Sequence, residues 1–263
     1  MPIARFCPLL ARRVQPTTLA TYQRAIKNFV DFTDSQGLYL TTAESVDDAL
    51  SLYLVLLKLS KSVFLVTLAA VSFALPQYRG KLPLAAAYQR ALDLTTIVKH
   101  TTPLTTAAAY LIAGHWLQKG WWKQAVGILA HVRTGLRPGE LTSLVAGDFS
   151  FPEGRATEGR RLTVIRLGKK KGTKVGRQQT ATLDETADGK LVNAIRDVVA
   201  AEPIEAVFFG KGGYRAYRAA LIAAIKELGL PLGFTPHSPR AGFASEGAHR
   251  GETAEETRHK GRW

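Results

Sequence analysis

Four short basic boxes, in a fixed order along the chain, constrain how this sequence can fold. They are Thr134-Gly-Leu-Arg137, Lys171-Gly-Thr-Lys174, His237-Ser-Pro-Arg240 and Gly261-Arg-Trp263. The planar guanidinium forks of Arg137 and Arg240 each match two phosphate oxygens and stay charged at physiological pH. If the boxes serve one site, the fold must bring together two arginines that lie more than a hundred residues apart. The boxes therefore predict a clamp on a phosphate group.

Each box taken alone has a simpler interpretation. Arg137 could be a surface residue at a helix end or a partner of Glu140. A histidine three residues before an arginine, as in His237 and Arg240, is often a helix cap. Only the whole set in this order favours a site for phosphodiester chemistry, in which paired arginines neutralise charge on the nonbridging oxygens.

The overall charge favours a polyanionic partner. Lys and Arg total 35 against 21 Asp and Glu, giving a net charge of +14 and a pI near 10.0. Both halves share the excess, with +5 in residues 1–100 and +9 in residues 101–263. Nucleic acid is the natural candidate, since phosphate contacts release counterions. A basic protein whose charge only confers solubility is the alternative.

Cysteine and hydropathy limit the class of protein further. The single cysteine, Cys7, cannot form an internal disulfide, and no Cys/His cluster has zinc-like spacing. We therefore expect an intracellular protein with neither metal nor cofactor. The uncharged run at residues 62–77 is too short for a membrane helix and is interpreted as a buried core helix. Residues 1–16 are expected to be a disordered basic lead-in, with a transit peptide as the alternative.

Residues 17–100 have helical periodicity throughout and predict a small four-helix domain. The first helix begins behind Thr17 and Thr18 and ends near Gly37. Asp47 or Ser45 is the expected N-cap of the second. The second is predicted to end at Leu59, the third to span Ser62–Leu75 before Pro76, and the fourth to span Leu84–Leu94. The domain boundary is expected at residues 95–104, where Pro103 interrupts the pattern.

Residues 101–263 predict a second domain that is mainly α with a small β-hairpin. Helices are expected at 105–119, 121–133, 184–201 and 214–229, and strands at 162–167 and 178–183. Trp116, Trp121 and Trp122 are predicted to pack in the core or the domain seam. The turn between the strands holds five basic residues and no acid, so it suits tracking of a nucleic-acid backbone. These residues are Lys169, Lys170, Lys171, Lys174 and Arg177.

Taken together, the boxes resemble those of the tyrosine recombinase (phage integrase) family. Residues 134–141 followed by Asp148 resemble its first arginine box, residues 171–174 its lysine turn, and residues 237–240 its second box. Residues 261–263 resemble the form found in recombinases of eukaryotic mobile elements, with Trp263 at the family's His-or-Trp position and His259 as its rival. The resemblance implies a helical core-binding domain at 17–100 and a catalytic domain at 101–263 that close as a C-shaped clamp around duplex DNA.

The resemblance also implies a role for each box residue. Arg137, His237 and Arg240 would hold the scissile phosphate, Lys171 would protonate the leaving 5′ oxygen, and Trp263 would buttress the site. Lys169, Lys170, Lys174 and Arg177 would contact DNA, and Glu140 and Asp148 would be structural supports. A tyrosine would form a 3′-phosphotyrosyl intermediate without metal or ATP. The implied partner is double-stranded DNA bound by a homotetramer, in the nucleus or the nucleoid.

The tyrosines depart from this family pattern. The nucleophile is expected about two helical turns beyond Trp263, but all eight tyrosines precede the His237 box: Tyr22, Tyr39, Tyr53, Tyr78, Tyr88, Tyr110, Tyr214 and Tyr217. Tyr214 and Tyr217 are expected to pack on a helix rather than to act as nucleophiles. Residues 1–263 are therefore expected to be a fragment that lacks the nucleophile, with a catalytically inactive DNA-binding relative as the alternative. A basic RNA- or chromatin-associated helical protein is the remaining possibility, and a type IB topoisomerase fits the short N-terminal domain less well.

Overall fold

The structure of the protein is a computed structural model that describes residues 14–96, 100–151, 161–168, 179–231 and 233–262. The chain forms two compact units, Met1–Lys99 and His100–Trp263. Almost all of the predicted basic lead-in at 1–16, including Cys7, lies outside the described residues. The fold class matches the prediction, since the described chain is mainly helical with one small antiparallel sheet.

The described part of the first unit is made of four helices, as the apolar periodicity predicts. Their apolar faces share a core that includes Phe29, Leu50, Tyr53 and Phe64. The helices are α1 (Pro16–Ser35), α2 (Ala43–Leu56), α3 (Lys61–Ala74) and α4 (Pro83–Thr95), with a 3₁₀ turn at Pro76–Tyr78.

The cap of α2 differs from the prediction. Thr42 is the N-cap, since its Oγ1 accepts the Ser45 backbone N–H at 3.1 Å and Ser45 Oγ accepts the Thr42 N–H at 3.0 Å. Asp47 lies inside α2 and is buried. Its carboxylate accepts the backbone N–H groups of Leu84 and Ala85, both at 2.8 Å. Asp47 therefore caps α4, because tertiary packing brings the start of that helix to it.

Replacing Asp47 with alanine is expected to destabilise the first unit. Two N–H groups at the start of α4, one partly buried and one buried, would lose their acceptor, which costs about 2–3 kcal/mol in the free energy of unfolding. Urea unfolding followed by circular dichroism measures this change. The exposed neighbour Asp48→Ala is the matched control and should change the free energy by less than about 0.5 kcal/mol. Equal effects of the two substitutions would contradict the capping role.

The second unit contains a helical layer and the small sheet. Its short helix α7 begins with Pro138 in the first helical position, which suits proline because it has no N–H to donate. The elements are α5 (Thr106–Gln118), α6 (Trp122–Thr134), α7 (Pro138–Leu141), β1 (Phe149–Ser150), β2 (Leu162–Arg166), β3 (Thr180–Asp184), α8 (Glu185–Ala200), α9 (Gly213–Glu227), α10 (Ser238–His249) and α11 (Ala254–Gly261).

The sheet has the strand order β1-β2-β3, and both pairings are antiparallel. Val164 in β2 pairs with Ser150 on one side and with Thr182 on the other. The predicted hairpin of β2 and β3 is confirmed. Strand β1 was not predicted, because two residues are too few to show an alternation of apolar and polar side chains. The turn of the hairpin, residues 169–178, lies outside the described residues.

The tryptophans of the second unit do not share one environment. Trp116 in α5 is completely buried and its ring lies edge-on to Phe209. Trp121 and Trp122 are 40% and 63% exposed, so neither packs in the core of the second unit, which was one of the two predicted environments. Trp121 precedes α6 and Trp122 is its first residue, where helical periodicity does not yet fix the direction of a side chain.

Helix α10 packs closely against the backbone before α5. Leu104 N–H donates to the Ser238 carbonyl at 2.9 Å, and Thr106 N–H donates to Glu246 Oε1 at 3.0 Å. Between these two contacts lies Gly242, where a Cβ atom would be 1.9 Å from the Leu104 carbonyl oxygen. The absent side chain is what lets the two backbones meet.

No helix in the described part of the chain is both long and apolar enough to cross a membrane.

Candidate phosphate-binding site

The first arginine lies at the turn between α6 and α7. Arg137 is the N-cap residue of α7. Glu140, one turn further on, accepts the Arg137 backbone N–H and its Nη1 donor, both at 2.8 Å. The Arg137 side chain nevertheless remains 46% exposed. The ion pair therefore fixes the guanidinium without covering it.

The second arginine lies in the first turn of α10 and is buried. Arg240 Nη1 donates to the Gly135 carbonyl, and Nη2 donates to the Gly261 carbonyl at 2.5 Å. These bonds join the start of α10 to the turn before α7 and to the end of α11. Arg240 therefore stabilises the packing of these three segments in addition to supplying a positive charge.

The structure brings the two arginine boxes together at the end of α11. Arg137 Nη2 donates to the Arg262 carbonyl at 3.3 Å, next to the Gly261 carbonyl that Arg240 contacts. The two guanidinium groups thus bind consecutive carbonyls of one short segment.

Gly135 makes this meeting possible. It ends α6 in the left-handed conformation with φ 58°, which favours glycine. A Cβ atom at Gly135 would also lie 2.7 Å from the ring of Phe243 on α10. Glycine is therefore required both by the turn and by the close approach of α10.

The remaining predicted residues of the described chain lie at helix ends. His237 is the N-cap residue of α10, one turn before Arg240, and its side chain is exposed. Asp148 Oδ2 accepts the Val145 backbone N–H at 3.0 Å within a 3₁₀ turn. His259, the rival candidate, is exposed on α11. Lys169, Lys170, Lys171, Lys174, Arg177 and Trp263 lie outside the described residues.

The site holds more positive than negative charge. Burial, followed by the charges of Arg137 and Arg262, lowers the pKa of Arg240 to about 10, and the charge of Glu140 opposes this shift. Burial alone would raise the pKa of Glu140, but the hydrogen bonds from Arg137 and the positive charges of Arg262 and Arg137 hold it below its ordinary value. Arg240 is thus still a cation at neutral pH, and Glu140 is a carboxylate.

Sequence reasoning missed Arg262, which lies beside the same carboxylate. Its side chain is only 10% exposed, and its Nη2 is 3.4 Å from Glu140 Oε2 and 3.5 Å from the Gly135 carbonyl oxygen. The signal lies in the Gly261-Arg-Trp263 box, which places an arginine directly before the tryptophan that the resemblance assigns to the site. The guanidinium groups of Arg137 and Arg262 therefore both contact one carboxylate, and its charge also acts on the buried Arg240.

A buried histidine and tyrosine also support the first arginine box, and sequence reasoning missed this contact. His131 is completely buried in α6, with Nε2 2.7 Å from the Leu136 carbonyl oxygen and Nδ1 2.9 Å from the Tyr217 hydroxyl. Because a carbonyl can only accept, Nε2 carries the proton and Nδ1 accepts from Tyr217. The pair fixes the backbone directly before Arg137. Tyr217 is packed in the core as predicted, and burial raises its pKa well above 10.0.

The described residues do not meet the requirements of a metal-binding site. Among those residues, no three His, Cys, Asp or Glu side chains are grouped so that they could hold a metal ion. The chemical capacity of the site is instead the binding of an anion by several guanidinium groups.

Solved structures of other proteins share the fold of this chain. The chain has the fold of the tyrosine recombinases, as the sequence boxes predict. One similar structure is the Tn1549 transposon integrase in complex with circular intermediate DNA, with 17% identity and a TM-score of 0.66. That match covers 98% of this chain and 91% of the integrase chain.

Two further solved structures have the same fold. A lambda integrase dimer bound to a COC′ core site is 16% identical with a TM-score of 0.57, and the match covers 96% of this chain and 90% of that one. The XerH site-specific recombinase bound to its difH substrate is 16% identical with a TM-score of 0.55. That match covers 95% of this chain and 74% of the XerH chain. No family model matches the sequence, and no curated protein matches it.

Proposed function

We propose that this chain is a site-specific DNA recombinase or integrase of a mobile element, which breaks and rejoins DNA strands through a phosphotyrosine intermediate. The observation that carries the proposal is the meeting of Arg137 and Arg240 at the consecutive carbonyls of residues 261 and 262. The net charge of +14 supports a DNA partner. The similar structures contain circular intermediate DNA, a core site and a difH substrate, which agrees with that partner.

In the proposed reaction, Arg137 and Arg240 bind the nonbridging oxygens of the scissile phosphate. His237 lies one turn before Arg240 and completes the clamp. As negative charge builds on the phosphate in the transition state, the fixed positive charges stabilise it without reorganising. Glu140 holds Arg137 in position, and Asp148 supports the backbone between α7 and β1.

The covalent step needs a nucleophile and a general acid. A tyrosine oxygen attacks the phosphorus, the bond to the 5′ oxygen breaks, and Lys171 transfers a proton to that oxygen as it leaves. The role proposed for Trp263, which lies outside the described residues, is to buttress the site. The reversal of these steps with a second strand rejoins the DNA, and a homotetramer holds two duplexes for the exchange.

The nucleophile distinguishes this function from its alternative. All eight tyrosines precede His237 in the sequence, and Tyr217 is committed to His131 in the core. The second candidate is a catalytically inactive relative that binds DNA, which the net charge of +14 supports equally. The reading frame that follows Trp263 separates the two, because the enzyme requires a tyrosine within the next two or three helical turns.

The test is covalent capture on a nicked DNA duplex by a chain that includes the segment after Trp263. We expect a covalent protein–DNA complex, and Arg137→Ala or Arg240→Ala should lower its yield about a hundredfold or more, since each removes a fixed charge at the phosphate. Denaturing gel electrophoresis measures the yield. Arg218→Ala removes an exposed arginine of α9 and is the matched control, with a yield within about twofold of the unsubstituted protein.

Two outcomes would decide against the proposed mechanism. Cleavage that survives both substitutions would eliminate the arginine clamp. Salt-sensitive DNA binding without any covalent complex would leave the inactive DNA-binding relative as the function.

A further inference from the structure

The guanidinium of Arg262 is buried in the site but is held loosely. Its hydrogen bonds reach Glu140 Oε2 at 3.4 Å, the Lys260 carbonyl at 3.4 Å and the Gly135 carbonyl at 3.5 Å. All three lie at the long end of the hydrogen-bond range. Its Nε is buried and has no hydrogen-bond partner among the described residues. A buried donor without an acceptor is costly, so this group is poised to take a ligand.

The other two arginines are held much more firmly. Arg137 donates to Glu140 Oε1 at 2.8 Å, and Arg240 donates to the Gly261 carbonyl at 2.5 Å. These short hydrogen bonds are sufficient to hold both guanidinium groups in position. The longer hydrogen bonds of Arg262 do not compensate for the burial of its guanidinium group to the same extent.

The charges around Arg262 favour an anion there. Arg262 shares the Gly135 carbonyl with Arg240 and the Glu140 carboxylate with Arg137. Glu140 is thus the one carboxylate that acts on all three arginines, and two of these cations, Arg240 and Arg262, are buried. Buried cations that exceed their counter-ions are unfavourable. A phosphate group would supply the missing negative charge.

The backbone at this position is also strained. Arg262 follows α11 with φ 58°, in the left-handed region that glycine favours at a helix end. Such conformations in other residue types cost energy and concentrate at functional sites. Arginine occupies this position, although glycine would adopt the turn at a lower energetic cost.

We propose that Arg262 is a third phosphate ligand, which donates to an oxygen of the same phosphate group that Arg137 and Arg240 bind. This inference rests on the proposed function and adds a residue to its site. The competing role for Arg262 is structural, as a tie between the end of α11 and the Gly135 turn. A tie contributes to stability whether or not phosphate is present, and the two roles are therefore separable.

The experiment is thermal unfolding of residues 1–263 in rising concentrations of inorganic phosphate, with chloride keeping the ionic strength constant. A ligand that binds only the folded chain raises Tm with its concentration, so each titration gives an apparent Kd. We expect Arg262→Gly to raise this Kd about tenfold, the loss of one charge-assisted hydrogen bond. Its Tm without phosphate should change little, because glycine relieves the strained turn.

A second variant and two controls complete the experiment. Arg262→Lys keeps the positive charge but loses the planar fork, so it should raise the Kd about threefold and reports on the site even if Arg262→Gly unfolds. Arg218→Gln, which removes an exposed charge on α9, should leave the Kd unchanged. Arg137→Gln should raise it about tenfold or more, as expected for the site of the proposed function.

The outcomes separate the two proposals. A wild-type Kd in both Arg262 variants, combined with a raised Kd in Arg137→Gln, overturns the role of Arg262 and leaves the proposed function standing. A lower Tm without phosphate together with an unchanged Kd assigns Arg262 to the structural tie instead. A wild-type Kd in Arg137→Gln contradicts the phosphate site of the proposed function itself.

Discussion

Replacing Gly242 with alanine is expected to unfold the second unit under conditions in which the unsubstituted protein is stable. The new Cβ atom would lie 1.9 Å from the Leu104 carbonyl oxygen and 2.9 Å from its carbonyl carbon. Real Cβ atoms do not approach so closely, and the obstacle is backbone, so no rotamer change relieves the overlap. Overpacking costs about 1–3 kcal/mol even where side chains can yield, and we expect at least about 4 kcal/mol here.

The overlap would also break the contacts on either side of it. Ser238, Gly242 and Glu246 follow one another along a single face of α10, at four-residue steps. Ser238 accepts the Leu104 N–H and Glu246 accepts the Thr106 N–H, so the backbone before α5 runs along that face. Moving α10 away by even an ångström therefore lengthens both bonds. It also displaces Arg240 from the Gly135 carbonyl.

Gly114→Ala is the matched control for this prediction. Gly114 lies inside α5, and a Cβ atom there would meet nothing within 4 Å. Alanine should therefore stabilise the unit by about 0.5–1 kcal/mol, because glycine is the poorer helix former. Circular dichroism during thermal unfolding measures both variants. A Gly242→Ala protein as stable as the unsubstituted one would show that α10 does not approach Leu104 as the structure has it.

Much of this fold follows from local patterns in the sequence. The prediction for the helix at 184–201 differs by one residue at each end from α8 (Glu185–Ala200), because a strong apolar period and the cap residue Asp184 mark it locally. The ion pair of Arg137 and Glu140 is local as well, since three residues of spacing place both at the start of α7. The pairing of Arg137 with Arg240 was predicted from the two arginine boxes and from the family resemblance that the order of the boxes carries.

Contacts between distant segments could not be predicted in this way. Asp47 caps a helix whose bonded N–H groups lie 37 and 38 residues later, and only tertiary packing shows which N–H groups its carboxylate meets. The burial of Arg262 depends on where α11 ends relative to the Gly135 turn. The sequence marks these residues as polar but does not show which backbone groups they face.

Acid is expected to destabilise the second unit through His131, and this is the second large effect. Burial is the main cause that lowers the pKa of His131 to about 3. The charges of His237 and Arg240 contribute to this shift, while the hydrogen bond with the Leu136 carbonyl and the charge of Glu140 oppose it. The unfolded chain binds a proton near the ordinary value of 6.5. Between these two values the unfolded state holds one more proton than the folded state, so stability falls as the pH falls.

The expected size of this effect follows from the linkage relation. Each pH unit below 6.5 costs the folded state about 1.4 kcal/mol, which gives about 3 kcal/mol between pH 6.5 and pH 4.5. His131→Gln has no proton to take up, so its free energy of unfolding should fall by about 3 kcal/mol less over the same interval. The neighbouring carboxylate of Glu140 titrates in both proteins, and its contribution cancels in the comparison.

Urea unfolding at pH 7.0 and pH 4.5 gives the four free energies that this comparison needs. His249→Gln provides the control, since that imidazole is exposed at the end of α10 and is in water in both states. Equal losses in the unsubstituted and His131→Gln proteins would show that the imidazole is not buried in its neutral form. The expected difference would show instead that a neutral imidazole, which donates to the Leu136 carbonyl and accepts from Tyr217, holds the backbone before Arg137. The geometry of the arginine clamp would then be lost together with the fold as His131 takes up its proton.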